Sequence, residues 1–169
     1  MSASVEEHRS QAPDRVRCAV ITVSDTRTEE TDRSGQLIKQ RLDERGHEVV
    51  HYRIVKDEPE QIDTMLTELV QRSDCDAVIF NGGTGIARRD TTFDTVSRRL
   101  EKELIGFGEI FRMLSFSEIG AAAMLSRATA GVIGDTVVFL TPGSSNAVSL
   151  ALEKLILPEI AHVVFEMRK

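Results

Sequence analysis

The sequence is poor in aromatic and sulfur-containing residues. Among its 169 residues there are no tryptophans, one tyrosine and two cysteines, Cys18 and Cys75. Two unpatterned thiols do not make a disulfide scaffold, and they predict a reducing cytoplasm as the location. The four histidines show no metal-ligand spacing, which argues against a zinc site. If the chain uses a metal, we expect a hard cation such as Mg²⁺, held by carboxylates and phosphate.

Long apolar runs and excess positive charge are also missing. No apolar stretch reaches the roughly 20 residues that span a membrane, and the N-terminus has no signal-peptide core. Lys and Arg total 21 against 27 Asp and Glu, a net charge of -6, which argues against a nucleic-acid surface. Since 41% of the residues are apolar, the chain can bury a substantial core. We predict a soluble protein that binds neither membrane nor nucleic acid.

The pattern of apolar residues divides the chain into a tail and one domain. Residues 1–15 are polar and aperiodic and are predicted to be disordered, whereas residues 16–169 are predicted to form a single domain. Continuous or alternating apolar runs predict strands at 16–23, 48–55, 77–80, 130–133 and 136–140, the last two forming a hairpin across Gly134–Asp135. Helical spacing predicts helices at 34–45, 59–70, 92–104, 117–125 and 146–165, with a kink or split at Pro158.

This alternation of strands and helices predicts an α/β fold. We expect three layers, α/β/α, around a mostly parallel sheet with one antiparallel hairpin strand. The apolar segment 106–116 fits either the core or an oligomer interface, and part of it could also contact a flat heterocycle. Ligands of such sheets bind outside the carboxyl ends of the strands, where the loops beginning at Ser24, Lys56, Asn81 and Thr141 are predicted to meet.

The loop Asn81-Gly82-Gly83-Thr84-Gly85 is the most informative of these, because three glycines in four positions allow close approach to a ligand. It is not a Walker loop, since no Gly-Lys-Ser/Thr follows. It is not a dinucleotide fingerprint either, because the G-x-G-x-x-G spacing is missing. Two interpretations remain: a tight strand-to-helix turn, or an anion cradle formed by backbone N–H groups.

Two carboxylates follow strand ends near this loop. Asp90 and Asp57 could each cap a helix, or they could converge on a magnesium-bound phosphate. Arg89 is either a phosphate ligand or a solvated surface residue, as is its neighbour Arg88. Further candidates lie in turns or at helix starts, where they could form a turn, cap a helix or bind an anion. They are Ser24, Asp25, Ser34, Gly35, Pro142, Gly143 and Ser144.

Taken together, these segments resemble one family over residues 16 to about 165. They include Thr22-Val-Ser-Asp25, Ser34-Gly35, Asp57-Glu58, Gly82-Gly-Thr-Gly85, Arg89-Asp90, Gly106-Phe-Gly-Glu109, Met124-Leu-Ser-Arg127, Ala130-Gly131 and Pro142-Gly143. In this order they resemble the molybdenum cofactor biosynthesis proteins of the MoaB/MogA type, which also form a domain of gephyrin and of the plant molybdenum cofactor proteins. The stretch from Gly108 to Phe116 and the short length are similar to the MoaB branch.

The resemblance implies a molybdopterin-binding fold and a reaction in which ATP and molybdopterin give adenylylated molybdopterin and pyrophosphate, with Mg²⁺. It implies that Asp57 and Asp90 are the catalytic and metal-handling aspartates. Residues 82–85 match the nucleotide and pterin loop, and Ser115 and Ser126 match serines linked to pterin or phosphate binding. It also implies a homo-oligomer, either a trimer or a hexamer built from trimers, and other molybdenum cofactor biosynthesis proteins as possible partners.

The segment after the second aspartate departs from the adenylyl-transferring branch. That branch often has Val-Thr-Pro there, whereas this chain has Thr91-Thr92-Phe93. The chain keeps the Arg89-Asp90 pair that some MoaB proteins lose, which favours an active nucleotidyltransferase. The alternatives are a molybdopterin carrier or scaffold without adenylyl transfer, a nicotinamide-dependent oxidoreductase, against which the missing fingerprint argues, and a purely structural oligomer.

Overall fold

A six-stranded sheet forms the centre of the fold. A computed structural model of the protein describes residues 11–169. The strands are β1 (Arg17–Val23), β2 (Glu48–Val55), β3 (Ala77–Asn81), β4 (Lys102–Glu103), β5 (Thr129–Ile133) and β6 (Thr136–Thr141). Their order is β2-β1-β3-β6-β5-β4. Strands β2, β1, β3 and β6 are mutually parallel, and β5 runs antiparallel to its neighbours β6 and β4.

Helices cover both faces of this sheet. They are α1 (Arg33–Glu44), α2 (Pro59–Val70), α3 (Thr92–Ser97), α4 (Ile105–Ile119), α5 (Ser145–Ala151) and α6 (Leu157–Met167). One apolar core joins α1, α4, α5 and α6 to the sheet, and a second core joins α2 and α3 to the opposite face. Because both faces are buried, the central strands need apolar side chains at every position, as the unbroken run in β3 shows. The predicted three-layer α/β fold is confirmed.

The region between α3 and β5 differs most from the prediction. The helix predicted over 92–104 ends at Ser97, and the chain then forms the short strand β4 beside β5. The unassigned segment 106–116 is the body of α4, whereas the helix predicted over 117–125 is wrong in its bounds. Gly120, with φ of +62°, ends α4, and a 3₁₀ helix follows over Gly120–Leu125.

The last helix is interrupted as Pro158 predicts. A π-helical turn over Leu152–Ile156 separates α5 from α6, and Pro158 lies in the first turn of α6. Proline lacks an N–H group and its ring crowds the carbonyl four residues earlier, so a wider turn before it relieves both problems.

Residues 11–15 precede the first strand. Of the tail predicted to be disordered, residues 1–10 lie outside the described part of the chain, and residues 11–15 form neither helix nor strand. Arg15 lies 3.3 Å from the carboxylate of Glu48 at the start of β2. None of the helices within residues 11–169 is both long and apolar enough to cross a membrane.

Candidate functional site

A cleft of about 680 Å³ opens at the carboxyl ends of β1, β3 and β6. Its walls come from the loops after these strands and from the first turns of α1 and α5. The structure therefore brings together three of the four predicted loops around one cavity. The predicted residues that line it are Ser24, Ser34, Gly82, Gly83, Thr84, Gly85, Asp90, Gly143 and Ser144.

The backbone of the glycine loop is shaped for close approach. Gly82 and Gly83 have φ angles of +106° and +63°, which side-chain-bearing residues rarely adopt. A Cβ atom on Gly82 would collide with the carbonyl oxygen of Val23. Among the hydrogen bonds within residues 11–169, none uses the N–H groups of residues 83–86. These N–H groups are therefore available to an anion beside the cleft.

Asp57 contacts the start of α3 and lies next to Gly83 of this loop. Its Oδ1 accepts hydrogen bonds from the backbone N–H of Thr91 at 3.0 Å, from the Thr91 hydroxyl at 2.8 Å and from the Thr92 hydroxyl at 3.1 Å. Its Oδ2 faces Gly83, where an added Cβ would lie only 2.5 Å away. Asp57 does not cap α2, the helix that follows it, since Glu58 holds the cap position there. The carboxylate instead holds the start of α3, 34 residues further along the chain.

Asp90 lies on the edge of the cleft. Its Oδ2 accepts a hydrogen bond from the backbone N–H of Ala87 at 3.0 Å, which closes the turn before α3. A Cβ on Gly85 would lie 2.5 Å from the same oxygen, so the glycine makes room for the carboxylate. Thr91, not Asp90, occupies the cap position of α3. The carboxylate therefore borders the cavity, and capping does not account for it.

Asp25 and Arg89 form an ion pair beside these two aspartates. Asp25 also accepts a hydrogen bond from the backbone N–H of Asp57 at 3.3 Å. The pair thus links the loop after β1 to the loop after β2 and to the segment before Asp90. Neither residue lines the cleft itself, and a substrate phosphate would compete with Asp25 for the Arg89 guanidinium.

The N-termini of α1 and α5 meet on the other wall of the cleft. The Ser34 hydroxyl donates to the carbonyl of Gly143 at 2.9 Å and lies 3.2 Å from the Ser145 hydroxyl. Ser144 caps α5 by accepting from the N–H of Ala147 at 3.3 Å. The two helix N-termini contribute partial positive charge to this wall, which suits a phosphate group.

A buried polar network, absent from the predicted site, forms part of the cleft lining through Thr22, Asp32 and Asn81. Asp32, only 2% exposed, caps α1 and accepts hydrogen bonds from the hydroxyls of Thr22 at 2.5 Å and Tyr52 at 2.7 Å. Burial and the hydrogen bond to Asp32 raise the pKa of Tyr52. The Asn81 amide donates to the Thr22 hydroxyl at 2.9 Å. The spacing from Asp32 to the helix start was the available signal, because Asp is a common N-cap residue.

Arg127 is a second residue that the predicted site omits. Its guanidinium donates to the backbone carbonyls of Thr84, Gly85 and Asp90 at 3.2, 2.6 and 3.0 Å. It therefore braces the glycine loop from a segment more than 35 residues away in the sequence. Its presence in the Met124–Arg127 motif was the only sequence signal.

Besides Asp25, Asp57 and Arg89, four more predicted residues are not part of the cleft lining. Ser115 is buried and lines an adjoining pocket of about 350 Å³, which shares Ser144 and Ser145 with the cleft. The Ser126 hydroxyl accepts from the N–H of Ala128 at 3.4 Å and does not line the cleft. Gly35 packs behind the wall, where a Cβ would strike the Asp32 carboxylate. Pro142 precedes the lining residue Gly143 but does not line the cavity itself.

Mg²⁺ fits these residues only together with substrate oxygens. Within residues 11–169, no group of three or more His, Cys, Asp or Glu side chains converges to hold a metal. Mg²⁺ usually keeps several waters and binds one or two carboxylates plus substrate phosphates, and it does not need an all-protein cage. Asp90 at the cleft edge is suited to this role. Asp57 could contribute only through Oδ2, since Oδ1 already accepts three hydrogen bonds.

Comparison with known proteins agrees with this geometry. Residues 19–162 match the protein family described as "Probable molybdopterin binding domain". The chain is 59% identical to molybdenum cofactor biosynthesis protein B of Bacillus subtilis over 167 residues, which covers 98% of both chains.

Solved structures place the fold in the same group. The structure is similar to a crystal structure of molybdenum cofactor biosynthesis protein B, with a TM-score of 0.90 and 56% identity, covering 94% of this chain and 99% of the other. It is also similar to the tungsten cofactor synthesizing protein MoaB from Pyrococcus furiosus, with a TM-score of 0.84 and 42% identity, covering 94% and 100% of the two chains. The chain therefore belongs to the MoaB/MogA family of molybdenum cofactor biosynthesis proteins.

Proposed function

We propose that this chain binds molybdopterin and transfers the AMP group of Mg-ATP to its terminal phosphate, releasing pyrophosphate. Molybdenum cofactor biosynthesis is the function that its family carries. The observation that carries the finer proposal is the position of Asp90. Its carboxylate borders a cleft that also presents unbonded loop N–H groups and two helix N-termini. Phosphate groups and a hard cation are the ligands that such a site accommodates together.

The bond changes of the reaction need little from the protein beyond orientation. An oxygen of the molybdopterin phosphate attacks the α-phosphorus of ATP, and the bond from that phosphorus to the β-bridging oxygen breaks. Pyrophosphate leaves with the electron pair. Because the attacking phosphate is already ionised near neutral pH, no general base is required. The chain's own contribution is to align the two phosphates in line and to stabilise the spreading negative charge through N–H donors.

The carboxylates divide the remaining work in this proposal. Asp90, with the Oδ2 of Asp57, would hold Mg²⁺ against the phosphates, and the ion would neutralise charge that develops in the transition state. The hydrogen bonds at Asp57 Oδ1 keep the start of α3, and with it the Asp90 segment, in a fixed position. In this proposal a substrate phosphate replaces Asp25 as the partner of the Arg89 guanidinium.

The decisive experiment measures pyrophosphate release from Mg-ATP in the presence of molybdopterin. We expect Asp90→Asn to reduce the release at least 100-fold, since the charged ligand that would hold Mg²⁺ against the reacting phosphates is lost. Asp74→Asn is the matched control, since this exposed carboxylate pairs with Arg72 and does not line the cleft, and its release should stay within a few-fold of wild type. Release that is unchanged in Asp90→Asn contradicts the role of Asp90. Binding of molybdopterin without any ATP-dependent product from the wild type supports the carrier function instead.

We also propose that the chain forms a homo-oligomer through the outer face of α4 and the following 3₁₀ helix. This face exposes a continuous group of large apolar side chains: Ile105, Ile110, Met113, Phe116, Ile119, Met124 and Leu125. Phe116 and Met124 are 61% and 78% exposed, and such patches on monomers mark interaction surfaces. Light scattering should give the molar mass of a trimer or a hexamer, and Phe116→Asp should reduce it to the molar mass of a monomer. A monomeric wild type would contradict the proposal.

A further inference from the structure

The contacts of Arg127 go beyond a simple surface ion pair. Three of its N–H donors are used on backbone carbonyls of one loop, those of Thr84, Gly85 and Asp90. A fourth donates to the Asp94 carboxylate at 3.0 Å, and the guanidinium lies 4.7 Å from the centre of the Phe93 ring. The side chain is 25% exposed. Arg127 therefore spans both ends of the segment 84–90 with one rigid, planar group.

Because the peptide bond is planar, these contacts to carbonyl oxygens also fix the direction of the N–H groups in the same peptides. In a trans peptide the carbonyl and the following N–H point to opposite sides. Because Arg127 holds the carbonyls of Thr84 and Gly85, the N–H groups of Gly85 and Ile86 point away from the guanidinium. These are among the N–H groups that make no hydrogen bond within the described residues.

The peptide between Asp90 and Thr91 provides an internal check on this geometry. Its carbonyl accepts from Arg127 at 3.0 Å, and its N–H donates to Asp57 Oδ1 at 3.0 Å. Arg127 and Asp57 thus hold one peptide group from opposite sides. Thr84, Gly85 and Asp90 line the cleft, whereas Arg127 lines a neighbouring groove together with the side of the loop at Ile86. Asp90 borders both cavities, and Arg127 is not part of the cleft lining.

We propose that Arg127 is a positioning residue that fixes the peptide planes of the glycine loop, so that the N–H groups of Gly85 and Ile86 bind a substrate phosphate. That the bound phosphate belongs to a reacting substrate rests on the proposed adenylyl transfer. The orientation of the loop by Arg127 does not depend on that proposal. Arg127 itself touches no substrate in this arrangement. It acts as the brace behind an anion site, and it also sets the position of Asp90 through the Asp90 carbonyl.

Lysine cannot replace this brace. Its ammonium group is a point charge on a flexible stem, whereas the loop carbonyls are held by Nε and Nη2 of one planar fork. Arg127→Lys therefore keeps the charge and removes the geometry. Arg99→Lys is the matched control: Arg99 is 34% exposed and ties α3 to Asp63 and Thr67 of α2 without touching the loop.

Three measurements on the full chain test the proposal. Arg127→Lys should increase the exchange rates of the Ala87 and Thr91 amides, measured by NMR, about tenfold. The Ala87 amide donates to Asp90 within the braced segment, and the Thr91 amide belongs to the peptide group whose carbonyl Arg127 holds. Calorimetry should show about tenfold weaker binding of Mg-pyrophosphate. Pyrophosphate release should fall about 100-fold in kcat with a smaller change in KM, as when a preorganised donor is lost. Arg99→Lys should change each value less than about threefold.

Each outcome bears on the proposal. A folded Arg127→Lys variant with amide exchange and pyrophosphate affinity equal to those of Arg99→Lys would overturn it. So would a wild type that does not bind pyrophosphate. If the wild type binds pyrophosphate but transfers no AMP, the adenylyltransferase function fails, while exchange and affinity still decide the role of Arg127. Should Arg127→Lys unfold, Asp94→Asn provides a milder loss of the same brace, expected to show the same changes at a smaller amplitude.

Discussion

The two ends of the parallel sheet treat their carboxylates in opposite ways. At the amino end, Asp76 is bound by two arginines: Arg17, through its side chain and its backbone N–H, and Arg168 from the last helix. At the carboxyl end, Asp25 pairs with Arg89, but Asp57 and Asp32 are held by hydroxyl and amide donors. A carboxylate neutralised by guanidinium groups has no remaining demand for a cation. One held only by neutral dipoles keeps its negative charge, which makes the carboxyl end the place where Mg²⁺ and phosphates can meet.

Replacing the carboxylate at the amino end should have the largest effect on stability. Asp76→Asn leaves two guanidinium groups facing an amide in a site where the side chain is only 5% exposed. We expect the free energy of unfolding to fall by about 3 kcal/mol, with pyrophosphate release unchanged. Urea denaturation measures the loss, and Asp74→Asn, which breaks the exposed pair with Arg72, should be nearly neutral. Equal losses in the two variants would remove the contrast.

A small change at the carboxyl end should affect activity and leave stability intact. Gly85→Ala places a methyl group only 2.5 Å from Asp90 Oδ2, so the carboxylate must move. We expect pyrophosphate release to fall about 100-fold, with less than about 1 kcal/mol lost in unfolding free energy. Gly106→Ala, where a Cβ meets nothing within 4 Å, is the control. Wild-type activity in Gly85→Ala would show that the position of Asp90 is not critical.

Acid should weaken the amino end specifically. Burial raises the pKa of Asp76, but hydrogen bonds from Arg17 and Arg168 outweigh it and lower the pKa to about 2, from an ordinary value of 3.8. A lowered pKa means that the unfolded chain takes up the proton first, so the stabilisation is present above pH 4 and is lost as pH falls towards 2. The contribution is about 2 kcal/mol. Urea unfolding measured between pH 5 and 2 should show that the free energy of unfolding falls more with decreasing pH for wild type than for Asp76→Asn.

The smallest effect concerns a helix cap in the cleft wall. Ser144→Ala removes the acceptor for the Ala147 N–H at the start of α5, and the unfolding free energy should fall by about 1 kcal/mol. Ser149→Ala removes an exposed hydrogen bond to Glu153 from the same helix and should be nearly neutral. Thermal denaturation of both variants measures the difference. If Ser144→Ala is neutral, the cap does not stabilise this wall.

The fold could be predicted in most of its parts because its signals are local. The apolar runs of β1 and β3, the helical stripe of α2 and the hairpin at Gly134–Asp135 all lie within short stretches and agree with the structure. The region of α4 resisted prediction for a physical reason. Its outer face is apolar as well, so the two-sided periodicity that identifies a surface helix is absent.

The candidate site was predictable only where loops follow strands. Parallel strands deliver their carboxyl ends to one edge, so Gly82–Gly85 and Asp90 could be placed together from topology alone. Arg127 and Tyr52 could not, since each reaches the site across the fold from a segment with no strand-end signal. Ser126 illustrates the reverse: the motif contains it, but its hydroxyl bonds locally to Ala128.

The sequence by itself determined the α/β class, the family and the loops that meet at the cleft, because hydrophobic period and glycine placement are properties of short segments. Only the tertiary structure decided what each side chain does there. Asp57 holds α3 and does not cap its own helix, and Arg127 braces the glycine loop from behind. The physical reason is that hydrogen-bond partners depend on distance in space, and residues 34 to 43 positions apart become neighbours only when the sheet brings their loops together.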